Sequence, residues 1–339
     1  MKCIEFTRVP TLPLIVDAVR RDVGNAAVSR SFAAQGLNPG HVYKRGAVLP
    51  LRDMVGLFER FARERADPMF GLFAAQAIRP ETFGLFITYA MQAPDLRTAI
   101  DRIRRGTRLH QGGTRFTLSP RRDVVTWSYK VDLPLTIGRD HHGIHVMWQL
   151  KEFLTAFLGY QPRLIEIGVE VSGYGPPGAL EAAFEAPVRW SRSAYSISFP
   201  SAVLDQPGQG STWNGAPVSY MDLIRYVRSR PPLNDVEKTK AALGLCLEHG
   251  NTSIEAVARY LNVGVRTLQR RLMVEGVAYR EILEAVRRGR ADELLGEAKL
   301  PLGRVAVLLG YSDPSHFTRA YRRWHGFPPN QRRHVRGNA

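Results

Sequence analysis

Residues 253–276 read SIEAVARYLNVGVRTLQRRLMVEG, and residues 301–326 read PLGRVAVLLGYSDPSHFTRAYRRWHG. Laid over one another, the two stretches keep their apolar positions in step. Ile254 falls with Leu302, Val257 with Val305, Ala258 with Ala306 and Leu261 with Leu309; further on, Leu268 falls with Phe317 and Leu272 with Tyr321. That spacing predicts two short helices on either side of a tight turn, Asn262-Val263-Gly264 in the first copy and Gly310-Tyr311-Ser312 in the second. A small residue on the first helix, Ala258 or Ala306, lets the second cross it closely, which is the packing a helix-turn-helix requires. Asp313 is placed to cap the helix that follows it, and Pro314 sits where its missing N–H costs nothing.

The second helix of each copy then has a defined outward face. With Leu268 and Leu272 turned inward, Arg266, Gln269, Arg270 and Met273 point away; with Phe317 and Tyr321 inward, the exposed set includes Ser315, His316, Arg319, Arg322 and Arg323. Arg and Gln pair bidentately with guanine and adenine edges in the major groove, and Ser, Thr and further Arg suit phosphates. Between the copies, YREILEAVRRGRADELL (279–295) reads as one amphipathic helix with Ile282, Leu283, Val286, Ala291, Leu294 and Leu295 as its apolar stripe. Seventeen residues at about 1.5 Å each span roughly 26 Å. With helix widths added, two recognition helices fit successive major grooves about 34 Å apart, on DNA that bends or yields slightly.

Working outward, the chain of 339 residues is long enough for two or three domains, and at 44% hydrophobic residues it can bury true cores. Its formal net charge of +16 favours polyanionic partners, nucleic acid first. The charge is spread, however. Residues 234–339 hold 18 Lys/Arg against 11 Asp/Glu, so the remainder is basic as well, and only the local pattern locates a binding face. Two cysteines, Cys3 and Cys246, exclude a disulfide framework. With neither a signal-peptide core nor a run of about 18 apolar residues, the expected compartment is the cytoplasm, without membrane contact.

Residues 1–206 mix periods. Helical spacing appears at Leu51–Arg65, Asp95–Arg105 and Ile144–Leu158, and period two at Thr114–Leu118 and Val124–Val131, the first just after a Gly112-Gly113 turn. Leu164–Val171 and Tyr195–Phe199 read as strands and Ala179–Phe184 as a helix, giving an α+β domain. Residues 207–233 are rich in turn formers and carry a short helical pattern at Tyr220, Leu223, Ile224 and Val227, ended by Pro231 and Pro232; they read as a linker. Residues 234–336 form an all-α domain with two helix-turn-helix units joined by a long helix.

These residues bring a family into view. VARYLNVGVRTLQRRL at 257–272 and GYSDPSHFTRAYRRWHGFPPNQRR at 310–333 resemble the DNA-binding domain of the AraC/XylS transcription regulators through both units and the joining helix. By that resemblance Arg266, Thr267, Gln269 and Arg270 lie where the first recognition helix meets DNA, and Ser315, Thr318 and Arg319 where the second does. The interval from Leu268 to Gly276 is one residue shorter than that from Phe317 to Gly326, so the first recognition helix is expected to end early. YAMQAPDLRTAIDRIRR at 89–105 and the strand-helix-strand run ending in PSAVLD at 200–205 resemble the family's arabinose-binding-like regulatory domain. The resemblance implies a sequence-specific regulator of double-stranded operator DNA, controlled by a small-molecule effector. RNA polymerase and a second copy of the chain, as a homodimer, are further partner candidates.

Other constellations carry less. His141, His142 and His145 include a pair one helical turn apart, but no third ligand completes a metal set, and they are read as a polar helix edge near the surface. GYGPPG at 173–178 lacks the backbone donors and the Lys-Ser/Thr of a phosphate loop and is read as a turn. Cys3 and Cys246 have no activating neighbours in sequence, so the alternative of an enzyme or DNA-repair-type protein fused to a helix-turn-helix domain is set second, and neither catalysis nor a cofactor is expected. Phe83, Phe86, Tyr89, Met91, Met147, Trp148, Phe153 and Phe157 are read as core first and as effector-pocket lining second.

Overall fold

The computed structural model describes residues 5–44, 46–135, 137–209, 217–226, 234–248, 250–296 and 300–336. Two compact units divide the chain, one spanning Glu5–Pro231 and the other beginning at Pro232. In chain order the first unit holds β1 (Phe6–Arg8), α1 (Leu12–Ala33, interrupted at Gly24), β2 (Val48–Pro50), α2 (Leu51–Arg65), α3 (Phe70–Gln76), α4 (Leu85–Met91) and α5 (Leu96–His110). There follow β3 (Thr114–Arg121), β4 (Val124–Val131), α6 (Arg139–Leu158), β5 (Glu166–Gly168), α7 (Ala179–Phe184), β6 (Val188–Arg189), β7 (Tyr195–Pro200) and α8 (Tyr220–Tyr226).

Five strands form one sheet in the order β3-β4-β7-β5-β6, antiparallel except for the β5–β6 pair, and β1 pairs with β2 in a small second sheet. Strand β4 shows why the sheet has one dry face. Val125, Trp127, Tyr129 and Val131 are buried while the residues between them are half-exposed, the period-two pattern of a strand with a single core side. The hairpin tip is Arg122-Asp123, with Arg122 at φ +54°; Gly112-Gly113 lies at the other end, before β3. Helix α6 lies against the buried face, where Phe153, Leu154 and Phe157 join Trp127, Ile197 and Phe199 in the core. Helices α2 and α3 pack on α6 as well.

That double contact overturns one expectation. His142 and His145 do not mark a surface edge. Both are buried, with the Phe58 ring centroid 5.7 Å from His142 and 5.2 Å from His145 and the Tyr129 ring 5.8 Å from His142. A helix covered from two sides has no wet face on which to put its polar residues. His141 is half-buried, with Nδ1 2.7 Å from the Tyr174 hydroxyl. Among the described residues no group of three or more His, Cys, Asp or Glu could hold a metal ion, and no helix is long and apolar enough to cross a membrane.

Within the stretch read as a linker, residues 210–216, Val227, Pro231 and Pro232 lie outside the described residues. Its helix α8 docks on the first unit: Leu223 is buried, the Tyr220 ring lies 6.1 Å from that of Tyr89, and the Val218 N–H donates to Gln92 Oε1 at 2.7 Å.

The second unit is helical throughout its described regular structure: α9 (Asp235–Glu248), α10 (Ile254–Tyr260), α11 (Val265–Val274), α12 (Tyr279–Gly296), α13 (Leu302–Leu308), α14 (Pro314–His325) and α15 (Pro329–Arg336). The α10–α11 and α13–α14 pairs are the two repeats, and α12 joins them.

Burial pushes the imidazole of His142 down to about 4 and that of His145 to about 3, so both are neutral in the fold at neutral pH. Unfolded, each takes up a proton near pH 6.5; folded, neither does until far lower. Their contribution to stability is therefore complete above about pH 6.5 and is lost as pH falls from there toward 4, at about 1.4 kcal/mol per pKa unit for each group. Thermal melts of the full chain between pH 7 and 4.5 should show a steep fall that is shallower in a His145→Phe variant. Equal slopes in the two proteins would exclude a buried, neutral His145.

Candidate nucleic-acid interface

The two repeats are built the same way from the backbone up. In the first, Asn262 takes φ +55°, its N–H donates to the Arg259 carbonyl at 3.0 Å, and the Val263 N–H reaches back to Ala258 O at 2.9 Å. In the second, Gly310 takes φ +71°, its N–H donates to Val307 O at 2.9 Å, and the Tyr311 N–H reaches Ala306 O at 2.9 Å. Each first helix thus ends in a Schellman pair of hydrogen bonds around one left-handed residue. The chain turns sharply at the same point in both. Val257, Ala258, Leu261, Leu268 and Leu272 are buried in one copy, and Val305, Ala306, Leu309, Phe317 and Tyr321 in the other.

What remains outside is the recognition face. On α11, Arg266, Gln269 and Arg270 are exposed and Thr267 is half-buried; Met273, also outward, is 76% exposed. Arg271 points the other way, 3.5 Å from Asp235 at the start of α9. The next turn is likewise tied back, since Glu275 accepts from the Asp235 N–H at 2.8 Å. On α14, Ser315, His316, Arg319, Arg322 and Arg323 are exposed, while Thr318 is half-buried with its hydroxyl donating to Pro314 O at 3.0 Å. Asp313 caps the helix by accepting from the Ser315 N–H at 2.7 Å, a bond that holds its carboxyl below the usual carboxylate range. Arg266, Arg270, Arg319 and Arg322 make no ion pair with any described residue. Arg323 does: it donates to Glu284 of α12 at 2.8 Å. As the residue count predicts, α11 is the shorter recognition helix, 10 residues against 12.

Sequence reasoning missed the residues that hold the repeats to one another. Arg287, halfway along α12, donates to Leu309 O and to Gly310 O, each at 2.9 Å, and to Thr252 Oγ1 at 3.3 Å. Its guanidinium lies 4.2 Å from the Tyr311 ring centroid. Tyr279, at the start of α12, donates to Thr252 O at 3.0 Å. One side chain on the joining helix therefore ties the turn of the second repeat to the residue that precedes the first. The signal in the sequence was an arginine set four residues after Leu283 and four before Ala291, on the apolar face of the joining helix. Arg280 was also missed; with Arg287, His316, Arg319 and Arg323 it lines a concave surface of about 320 Å³ between α12 and α14, where Glu284 is the acid.

Burial raises the Cys246 thiol to about 11, the opposite of what an activated nucleophile needs. Cys3 lies outside the described residues.

Known proteins are similar to this chain along most of its length. Residues 26–208 match the family described as the arabinose-binding domain of AraC transcription regulators, N-terminal, and residues 257–334 match a helix-turn-helix domain family. The HTH-type transcriptional regulator VirS of Mycobacterium tuberculosis is 28% identical over 301 residues, covering 87% of this chain and 87% of VirS. An ornithine utilization regulator of Pseudomonas aeruginosa is 31% identical over 164 residues, 47% of this chain and 45% of that protein. Among solved structures, the transcriptional regulator CdpR of Pseudomonas aeruginosa is 24% identical and aligns over 91% of this chain and 97% of its own, with a TM-score of 0.41.

Charged hydrogen bonds of the kind Arg287 makes are worth about 1.5–3 kcal/mol each where the acceptor would otherwise stay unpaired. Arg287→Ala should destabilise the second unit by about 2–4 kcal/mol in urea melts followed by far-UV circular dichroism. Arg287→Lys, with a point charge in place of the planar fork, should recover less than half of that. A wild-type melting curve for Arg287→Ala would show that the clamp contributes nothing.

Proposed function

Since the chain belongs to the AraC family of transcription regulators, we propose that it is a one-component switch whose second unit reads two successive major grooves of an operator while its first unit responds to a small molecule. The observation that carries this reading is the pair of like-built recognition helices with arginines that make no ion pair with any described residue. An exposed, unpaired guanidinium keeps its full donor set for a guanine edge or a phosphate.

Within that reading the residues divide by chemistry. Arg266, Gln269 and Arg270 on α11, and His316 and Arg319 on α14, meet base edges. Thr267, Ser315 and Thr318, near the N-terminal ends of their helices, contact phosphate through their hydroxyls, and Arg322 does so by charge. Arg323 and Arg280 flank the groove beside α14 and contribute to its positive field. The docking of α8 on the first unit supports the connection at 207–233 as the route by which a change in that unit reaches the DNA-binding unit. An effector acts there only by binding the DNA-competent arrangement differently from the idle one. RNA polymerase and a second copy of the chain stand as partners on family grounds, and the cytoplasm as the compartment where the operator lies.

An operator can be obtained by selecting tight binders from random duplexes with the full chain. On it, Arg270→Ala and Arg319→Ala should each cost about 1–3 kcal/mol and relax preference at one base pair, each in a different half of the footprint. Arg322→Ala should weaken all sequences alike and reduce the slope of log K against log salt by about one. Variants that bind the selected sites as tightly and selectively as wild type would move the interface elsewhere.

A further inference from the structure

The first unit holds a partly open cavity of about 120 Å³, lined from β1, α1, α2, α4, α5, β3, β4 and α6. Phe58, Phe83, Phe116, Leu150 and Phe153 make most of its wall apolar. One stripe of α6 is the exception. His142, His145 and Gln149 follow at intervals of three and four residues, share one helix face, and all line the cavity. The Nδ1 atoms of both imidazoles and Oε1 of Gln149 are buried without a hydrogen-bond partner among the described residues, although the Gln149 amide donates to Ala75 O at 2.9 Å. His142 is 3% exposed and His145 7%. Across the cavity the polar groups are satisfied: Gln111 accepts from the Thr7 hydroxyl and donates to that of Tyr129, both at 2.8 Å. Buried polar atoms are normally paired, so three side chains that each carry an orphaned atom along one wall of an apolar cavity point to a site that a ligand completes.

The chemistry of the orphans selects the ligand. Gln149 Oε1 only accepts, so the ligand must bring a donor. A neutral imidazole offers one donor and one acceptor, so a group that both gives and takes a hydrogen bond suits it. A hydroxyl does both. A carboxylate only accepts, and it would bring a charge among neutral imidazoles; the charged side chain in the lining, Arg8, is already engaged by another group. A sugar would set hydroxyls against Phe58, Phe83, Phe116, Leu150 and Phe153, where they find no hydrogen-bond partner. As for size, an apolar cavity of about 150 Å³ takes up benzene.

We propose that this cavity binds a neutral molecule with an apolar, one-ring body and a hydroxyl head held by His142, His145 and Gln149, and that this ligand is the effector of the switch. The second half of the proposal rests on the regulatory reading above. A route to the linker helix is present in the same unit. Phe86 and His110 are stacked, with centroids 5.6 Å apart and planes 13° apart, and both also line a second cavity of about 400 Å³ whose wall includes Leu223 of α8. A ligand in the inner cavity presses on a partition that α8 touches.

The test uses the full chain and four probes: p-cresol, toluene, benzoate and L-arabinose, with calorimetry and thermal melts as readouts. p-Cresol should raise the melting temperature and bind at least tenfold more tightly than toluene, while benzoate and arabinose should give no shift. His145→Leu and Gln149→Leu should each weaken p-cresol tenfold or more and leave toluene unchanged, which also shows that the cavity still forms. No binding of p-cresol, p-cresol no tighter than toluene, or binding of arabinose or benzoate in its place would overturn the site. On the selected operator, p-cresol should change wild-type affinity at least threefold and that of Gln149→Leu not at all. Unchanged affinity with p-cresol bound overturns the effector role and leaves the site standing. Failure of the protein to select any operator, with p-cresol or without it, is a failure of the regulatory reading itself.

Discussion

The guanidinium of Arg287 is where the DNA-binding unit becomes one object. Short helices end with carbonyls that their own helix cannot satisfy, and in the second repeat those of Leu309 and Gly310 are met from outside, by an arginine of α12. The same side chain reaches Thr252, the residue just before the N-cap of α10. A planar fork with five donors can serve three acceptors at once in a fixed geometry, whereas an ammonium on a flexible stem serves them one at a time. The spacing of the two recognition helices is therefore set by a rigid rod and a clamp at its middle.

This arrangement explains why net charge alone was a poor guide. Many of the chain's arginines are spent on the fold: Arg30 pairs with Glu64, Arg97 with Asp205, Arg139 with Glu170 and Arg189 with Glu166, all in the first unit. Even in the second unit Arg271 and Arg323 answer to Asp235 and Glu284. Under the proposed reading the patch that meets DNA is made by arginines without such partners among the described residues, and these sit on the outward faces of α11 and α14. Counting charges along the chain cannot separate the two kinds, because ion pairing is decided by tertiary proximity.

The helix-turn-helix repeats were legible in the sequence because everything that specifies them is local: the periodic apolar positions, the small residue at the crossing, the left-handed turn residue and the cap at Asp313. Strand β4 and helix α7 were legible for the same reason, and their observed limits, Val124–Val131 and Ala179–Phe184, are those read from periodicity. Helix α6 was not. Its histidines looked like a wet edge, yet α2 and α3 cover one side and the sheet the other, so the polarity of a residue said nothing about its exposure. Arg287 was illegible from the opposite side, a residue type at home in water whose acceptors come from segments 22 to 35 residues away. The cavity of the first unit is assembled from elements scattered from β1 to α6, and no local pattern announces it. The polar stripe at its wall was nonetheless in the sequence, as a cluster of histidines.

The two turns share a backbone shape but not the freedom to change. Asn262 projects into solvent, and its left-handed conformation is one that asparagine tolerates. At Gly310 a β-carbon would lie 2.7 Å from the Thr252 methyl group, so nothing larger than glycine fits without displacing the segment that leads into α10. Duplicated halves of a protein are usually thought of as interchangeable copies that drift apart on their surfaces. Here the asymmetry is buried in a single hydrogen atom: glycine could be borrowed by the first turn at little cost, but asparagine could not be lent to the second without prising the repeats apart.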